Sequence, residues 1–265
     1  MKLNIVPART GITWVKLGIQ TFFKQPLALA GLFFMYMAAA TLASLIPFVG
    51  VVLALAIVPA ATLGLMAATL EATKGRFPMP AILVSAFRAG QQRARAMMVL
   101  GFLYAAACLL IVSVVPLFFD VPVSRESALA PEMQGVMLVI MVLYLPISIL
   151  FWHAPALVHW HGVTPVKSLF FSAVVCLRNA GAYALFGLTW MVVLMLIGLA
   201  VSLLAGLLAS PEAAAALIMP AALLMAAMFS SSLYFTFRDS FDATLPDSPV
   251  NNDNTDNNPT PGETP

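Results

Sequence analysis

The chain has 265 residues, 62% of them hydrophobic and only 9% charged, with a formal net charge of +2. A soluble domain carries about 25% charged residues, so this composition cannot dress a water-facing surface, and lipid must cover much of the protein. Cys108 and Cys176 stand in no CxxC or metal-type spacing, which excludes a disulfide framework and leaves two inert buried thiols.

Residues 1–26 carry Lys2, Arg9, Lys16 and Lys24 and no acid. They lack a short apolar core followed by an A-x-A site, so no cleaved signal peptide is expected. At helical spacing Thr13, Lys16, Gln20 and Lys24 share a narrow arc, and Ile12, Val15, Ile19, Phe22 and Phe23 form the apolar side. That pattern predicts an amphipathic helix lying in the membrane interface. Two uncharged spans follow, 27–46 and 51–70, joined by a very short turn.

Residues 71–96 hold Lys74, Arg76, Arg88, Arg93 and Arg95 against one acid, Glu71. Pro80 opens a second amphipathic helix, with Ser85, Arg88, Gln92 and Arg95 on one arc and Ile82, Leu83, Ala86 and Phe87 on the apolar side. Span 3 covers about 97–118. A loop with Asp120, Arg125, Glu126 and Glu132 precedes span 4, about 134–154. The connector FWHAPALVHWHGV leads to a third amphipathic helix at Thr164-Pro165, where Thr suits the N-cap and Pro the first helical position. There Val166, Leu169, Phe170, Ala173, Val174 and Leu177 share one side. Lys167, Ser168, Ser172, Arg178 and Asn179 share the other, with Phe171 and Val175 intruding. Spans 5 and 6 run about 182–207 and 213–236. Each span is close to the ~20 residues needed to cross the hydrocarbon.

The expected fold is therefore an all-α integral membrane protein. Six transmembrane helices in residues 1–238 form three hairpins, each preceded by a cytoplasmic interfacial amphipathic helix. Residues 239–265 hold six acids and no base and read as a disordered acidic cytoplasmic tail. The unit of amphipathic helix, span, turn and span recurs at 7–70, 80–154 and 165–236. Pro7, Pro80 and Pro165 open the copies, and Gly31, Gly101 and Gly187 sit early in the first span of each. With six alternating spans, 12 of the 13 Lys and Arg residues fall on one side, Arg125 being the exception. The positive-inside rule then places both termini in the cytoplasm of a multi-pass protein of the bacterial inner (plasma) membrane. Arg88, Arg93, Arg95, Lys167 and Arg178 are candidate contacts for anionic lipid headgroups; the plainer reading makes them topology determinants alone.

No Asp, Glu, Lys, Arg or His lies in the central part of any span, which argues against a proton relay at membrane depth. His153, His159 and His161 form a weak polar cluster. A metal would need better spacing than six and two with Pro155 between, and His and Trp here equally fit an aromatic belt. Met133, Met137 and Met141 read as flexible packing. Ala60, Gly64 and Ala68, and Gly198, Ser202 and Gly206, recur at every fourth position and permit close helix contacts, within the bundle or in a homo-oligomer. Pro59, Pro146 and Pro220 should kink their spans. There is no P-loop, HExxH, GxSxG or paired-carboxylate signature, and no cofactor or nucleic-acid partner is expected.

The segments PARTGITWVKLGIQTFFKQPLALAGLFF, FPMPAILVSAFRAG and FWHAPALVHWHGVTPVKSLFFSAVVCLRN resemble an uncharacterised family of conserved six-span inner-membrane proteins of proteobacteria, over about residues 1–238. The resemblance implies no assigned activity or catalytic residue. Through its repeated amphipathic helix plus span, the chain is also distantly similar to the membrane domain of some bacterial glycerophosphodiester phosphodiesterases. It has no hydrolase domain beside that region, so no such activity is implied. The expected function is a non-enzymatic role in envelope organisation or in binding partners or lipid. The alternative is a transporter or channel for a small or lipid-like solute, with an intramembrane enzyme last.

Overall fold

A chain with so little charge can satisfy its backbone in lipid only by pairing its own amides and carbonyls, and helices do this within one segment. The computed structural model describes residues 3–118, 131–208 and 211–241. The helices are α1 (Thr10–Lys24), α2 (Pro26–Ser44), α3 (Gly50–Thr73), a 3-10 turn (Pro80–Val84), α4 (Ser85–Arg88), α5 (Gln91–Phe118), α6 (Pro131–Phe151), α7 (Ala154–His161), α8 (Pro165–Arg178), α9 (Ala180–Leu208) and α10 (Pro211–Ser240). Among the described residues six helical stretches are long and apolar enough to cross a membrane, in α2, α3, α5, α6–α7, α9 and α10. α2 packs on α3, α5 on α6, and α9 on α10.

The core sits at one end of the bundle, the end that carries most of the Lys and Arg residues. Leu29, Leu32 and Phe33 of α2 are buried, whereas Leu42 and Leu45 further along are exposed. In α9, Ala182, Phe186 and Trp190 are buried, and beyond them Met195, Leu199 and Leu207 stand free. In water such exposure would be costly; against lipid tails it carries no hydrophobic penalty, because the tails are as apolar as the side chains. The bundle is tight at its basic end and looser at the other, where Val115 of α5 and Val136 of α6 are nevertheless buried.

The three amphipathic segments are not used alike. α1 buries Trp14, Val15, Gly18, Thr21 and Phe22 and leaves Thr13, Lys16, Gln20 and Lys24 exposed, but Ile12 and Phe23 of the expected apolar side are exposed as well. Its partners are α9 and α10. Small residues let the backbones meet, since a Cβ on Gly11 would lie 2.1 Å from the Ala182 carbonyl oxygen and one on Gly18 2.5 Å from Ser232 Cβ. α8 does the reverse. Ser168, Ser172, Val175, Cys176 and Asn179 are buried, and the apolar side at Val166, Phe170 and Leu177 points outward. Ser168 and Ser172 thus leave the solvent-facing side on which the helical wheel puts them. Small hydroxyls satisfy themselves on nearby carbonyls and pack closely, while large apolar groups gain by facing lipid.

The second segment is not a continuous helix. The 3-10 turn and the four residues of α4 end at Gly90, whose φ of +101° is a left-handed conformation that favours glycine. Gln92, Arg93 and Arg95 therefore belong to the start of the spanning helix α5 and not to a helix shared with Ser85 and Arg88. The connector after span 4 is helical. Pro155 lies in the first turn of α7, and the break at Trp152-His153 follows from its missing amide and from its ring, which crowds the carbonyl of Phe151. Thr164 sits at the N-cap of α8 with extended backbone, but its side chain makes no capping bond.

The two ends of the described chain meet. Leu3 forms an antiparallel bridge with Phe241, and Asn4 N–H donates to the Ser240 carbonyl at 3.0 Å. The folded body thus extends past 238, through the last turn of α10 to the buried Phe241. The rest of the expected tail, 242–265, and the acidic loop at 119–130 lie outside the described residues.

Candidate functional site

The polar groups of the bundle converge at its basic end. The break before α7 carries His153 into the core, where it is fully buried. Its Nε2 lies 2.5 Å from the Tyr183 hydroxyl on α9, and that hydroxyl lies 3.2 Å from Ser240 Oγ on α10. The His153 backbone N–H donates to Ser172 Oγ on α8 at 3.0 Å, and Ser172 donates on to the Ile149 carbonyl at 2.8 Å. Trp14 Nε1 donates to Asp239 Oδ2 at 2.9 Å, and Trp152 Nε1 to Thr236 Oγ1 at 3.1 Å. Burial pushes the Cys176 thiol up to about 12, against smaller opposing effects of hydrogen bonds from Tyr183 and Ser172. At neutral pH it is a thiol and a poor nucleophile. Five helices are tied together here.

Asn179, between α8 and α9, straps the N-terminal segment down. Its Oδ1 accepts from Val6 N–H at 2.9 Å and its Nδ2 donates to the Asn4 carbonyl at 3.0 Å. Asn179→Ala is expected to cost about 1–3 kcal/mol, because it leaves part-buried backbone groups without partners. Arg178→Ala, at an exposed neighbour, should stay within about 0.5 kcal/mol. Denaturation in detergent reads both; equal stability of the two variants would show that the strap holds nothing.

Two of the hollows among the described residues are large enough for a small ligand. One of about 340 Å³ lies among α3, α5, α6, α7 and α10, with aromatic walls from Tyr104, Tyr144, Phe151, Trp152 and Phe229. The Tyr104 and Tyr144 hydroxyls meet at 2.6 Å. The other, about 510 Å³, is an apolar groove among α2, α3, the 3-10 turn, α4 and α5.

The candidate lipid contacts are spread around the basic end and form no single cluster. Arg88 ends α4, Arg95 is exposed near the start of α5, and Arg93, half-buried, lines a third hollow against Val163 and Thr164. Lys167 and Arg178 stand exposed near the two ends of α8. The ion pairs among the described residues, Arg76–Glu71 and Arg238–Asp239, use none of the five. The three histidines are held apart by rings: His153 and His161 flank Phe237 and Phe241, and His159 lies against Trp160. Among the described residues no three His, Cys, Asp or Glu side chains group to hold a metal. Tyr183, Asn179 and Asp239 were not legible as a junction. The available signal was the row of small polar residues Ser168, Ser172, Cys176 and Asn179, spaced to share one helix side.

Over 262 residues the chain is 33% identical to a probable inner membrane protein of Burkholderia thailandensis, a match covering 94% of this chain and 97% of that relative. No family model matches it, and no solved structure does. The likeness to the membrane domain of glycerophosphodiester phosphodiesterases is not among these findings.

Proposed function

The chain belongs to the family of that Burkholderia inner membrane protein, and from this premise we propose a non-enzymatic protein that engages anionic lipid at the cytoplasmic face of the inner membrane. The observation that carries the reading is α8. Its exposed Val166, Phe170 and Leu177 are flanked by Lys167 and Arg178, while its small polar side is used up inside the bundle. A helix so placed sinks its apolar side chains into the interface and leaves its basic groups to meet phosphates. Attraction is about 1 kcal/mol per basic residue near an anionic surface and fades with salt; burial of the apolar groups adds a larger, salt-insensitive part.

Spin labels in liposomes test this. Labels at 87 and 170 should relax with oxygen dissolved in the bilayer, and labels at 92 and 167 with an aqueous relaxer. Equal water access at all four positions would end the proposal. A second reading, a transporter or channel for a lipid-like solute, is favoured by the aromatic cavity walled by Tyr104 and Tyr144. Movement of a fluorescent lipid-like solute in proteoliposomes, lost when Ser148→Trp fills that cavity, would select it.

A further inference from the structure

We propose that the apolar groove bounded by α2, α3 and α5 holds one acyl chain of an anionic glycerophospholipid, whose phosphate is met by Arg88 and Arg95. The proposal rests on the lipid reading above and gives it a site. The groove's volume, about 510 Å³, lies within the range of built ligand pockets, roughly 300–1,000 Å³. Its walls are Met35 and Tyr36 from α2, Ile57 from α3, and Met98 and Phe102 from α5. The methionines are adaptable and suit a flexible chain.

Two close contacts fix the groove's shape. A Cβ on Gly64 would lie 2.8 Å from Leu83 Cα, so the 3-10 turn is seated hard against α3. A Cβ on Gly101 would lie 2.3 Å from the Ala56 carbonyl oxygen, so α3 and α5 touch backbone to backbone. Along α3 the lining runs from Leu53 to Ala61, about 12 Å at 1.5 Å per residue. Half of a ~30 Å hydrocarbon core is about 15 Å, so the groove has nearly the depth of one leaflet. Its rim residues Met35, Val84 and Phe102 are exposed. Most of its lining belongs to the candidate spans α2, α3 and α5, which acyl chains would surround.

Charge selects the headgroup. Phe102, Met98 and Arg95 stand four and three residues apart on α5 and share one stripe, which puts Arg95 about one turn beyond the lining at the basic end. Arg88 directly follows Phe87, another lining residue. Both arginines are exposed, and neither belongs to an ion pair among the described residues. Each arginine thus adjoins the end of the groove on its own element, and a guanidinium can bind a phosphate there bidentately.

The test uses the full chain in phosphatidylcholine nanodiscs, with Phe102→Trp as reporter and the parent chain subtracted. A minor fraction of phosphatidylglycerol with brominated tails should quench the reporter as if enriched about ten- to thirty-fold over brominated phosphatidylcholine, as expected for two basic contacts. Ala39→Phe, at an exposed position lining the groove, should abolish this quenching. The Arg88→Gln, Arg95→Gln pair should bring the two lipids level. If Ala39→Phe leaves the quenching unchanged while the arginine pair still matters, the groove is not the site and the wider lipid reading survives. If phosphatidylglycerol shows no preference at all, the groove is no site for anionic lipid, and the reading at α8 is decided by the spin labels alone.

Discussion

Trp14→Ala is expected to cost about 3–5 kcal/mol, as large aromatic truncations in a core do. For a domain of this size that is a fall of roughly 6–20 °C in thermal midpoint. Trp14 is fully buried. Its ring lies 5.2 Å from that of Tyr183 and 6.2 Å from that of Phe186, and its N–H is satisfied by Asp239. Truncation opens a cavity between α1, α9 and α10 and takes the Trp14 donor from Asp239 Oδ2, leaving the carboxylate to Arg238, which holds Oδ1 at 2.7 Å. Trp14→Phe keeps most of the ring and loses the hydrogen bond, so it should cost about 1 kcal/mol beyond the change in volume. Thermal unfolding in detergent measures both. A Trp14→Ala protein as stable as the parent would mean that α1 is not docked on the bundle.

Gly101→Leu should be comparably damaging, while the same change at Gly31 and Gly187 should be tolerated. The three glycines hold corresponding places in the proposed repeat, but only Gly101 has a neighbour where its Cβ would go. Because that neighbour is the backbone of Ala56, no rotamer change relieves the clash, and α3 and α5 must part. Overpacking of this kind costs about 1–3 kcal/mol and more where backbone must shift. At Gly31 and Gly187 nothing lies within 4 Å of the added atom, and leucine favours the helix over glycine by about 0.8–1 kcal/mol. Folded yield and thermal midpoint of the three variants decide the matter; a loss at all three would imply contacts at Gly31 and Gly187 beyond those within one chain.

The spans were legible because hydrocarbon imposes length and apolarity on any segment that crosses it. Which side of a helix faces inward was not. In water, burial of apolar groups orients a helix wheel; in lipid that driving force is absent between helices. The wheel of α8 therefore grouped residues that the structure separates: Lys167 and Arg178 stay exposed, while Ser168, Ser172 and Asn179 from the same side are buried. Gly90 was readable as a helix stop, since glycine after Arg88-Ala89 is a common C-terminal signal, yet the arc through Ser85 to Arg95 runs straight across it. The rows of small residues diverge too. Ala60 and Ala68 are buried and Gly64 meets Leu83, whereas Gly198 and Gly206 have open space at their Cβ positions. His153 stood out as a polar residue near a span, but its place as the centre of a junction depends on Tyr183, 30 residues on, a pairing that no local pattern encodes.

The bridge from Leu3 to Phe241 also sets a timetable. α1 is made first, and the helices it docks on, α9 and α10, are made last. At about 5–20 residues per second a ribosome needs roughly 10–45 s to go from the end of α1 to residue 241. Throughout that interval Trp14 and Val15 have no α9 or α10 to rest against. A nascent helix with one apolar side can wait at a bilayer surface without aggregating. The amphipathic pattern of α1 thus suits two addresses in succession, the membrane surface while the chain is being made and the helix bundle once it is complete.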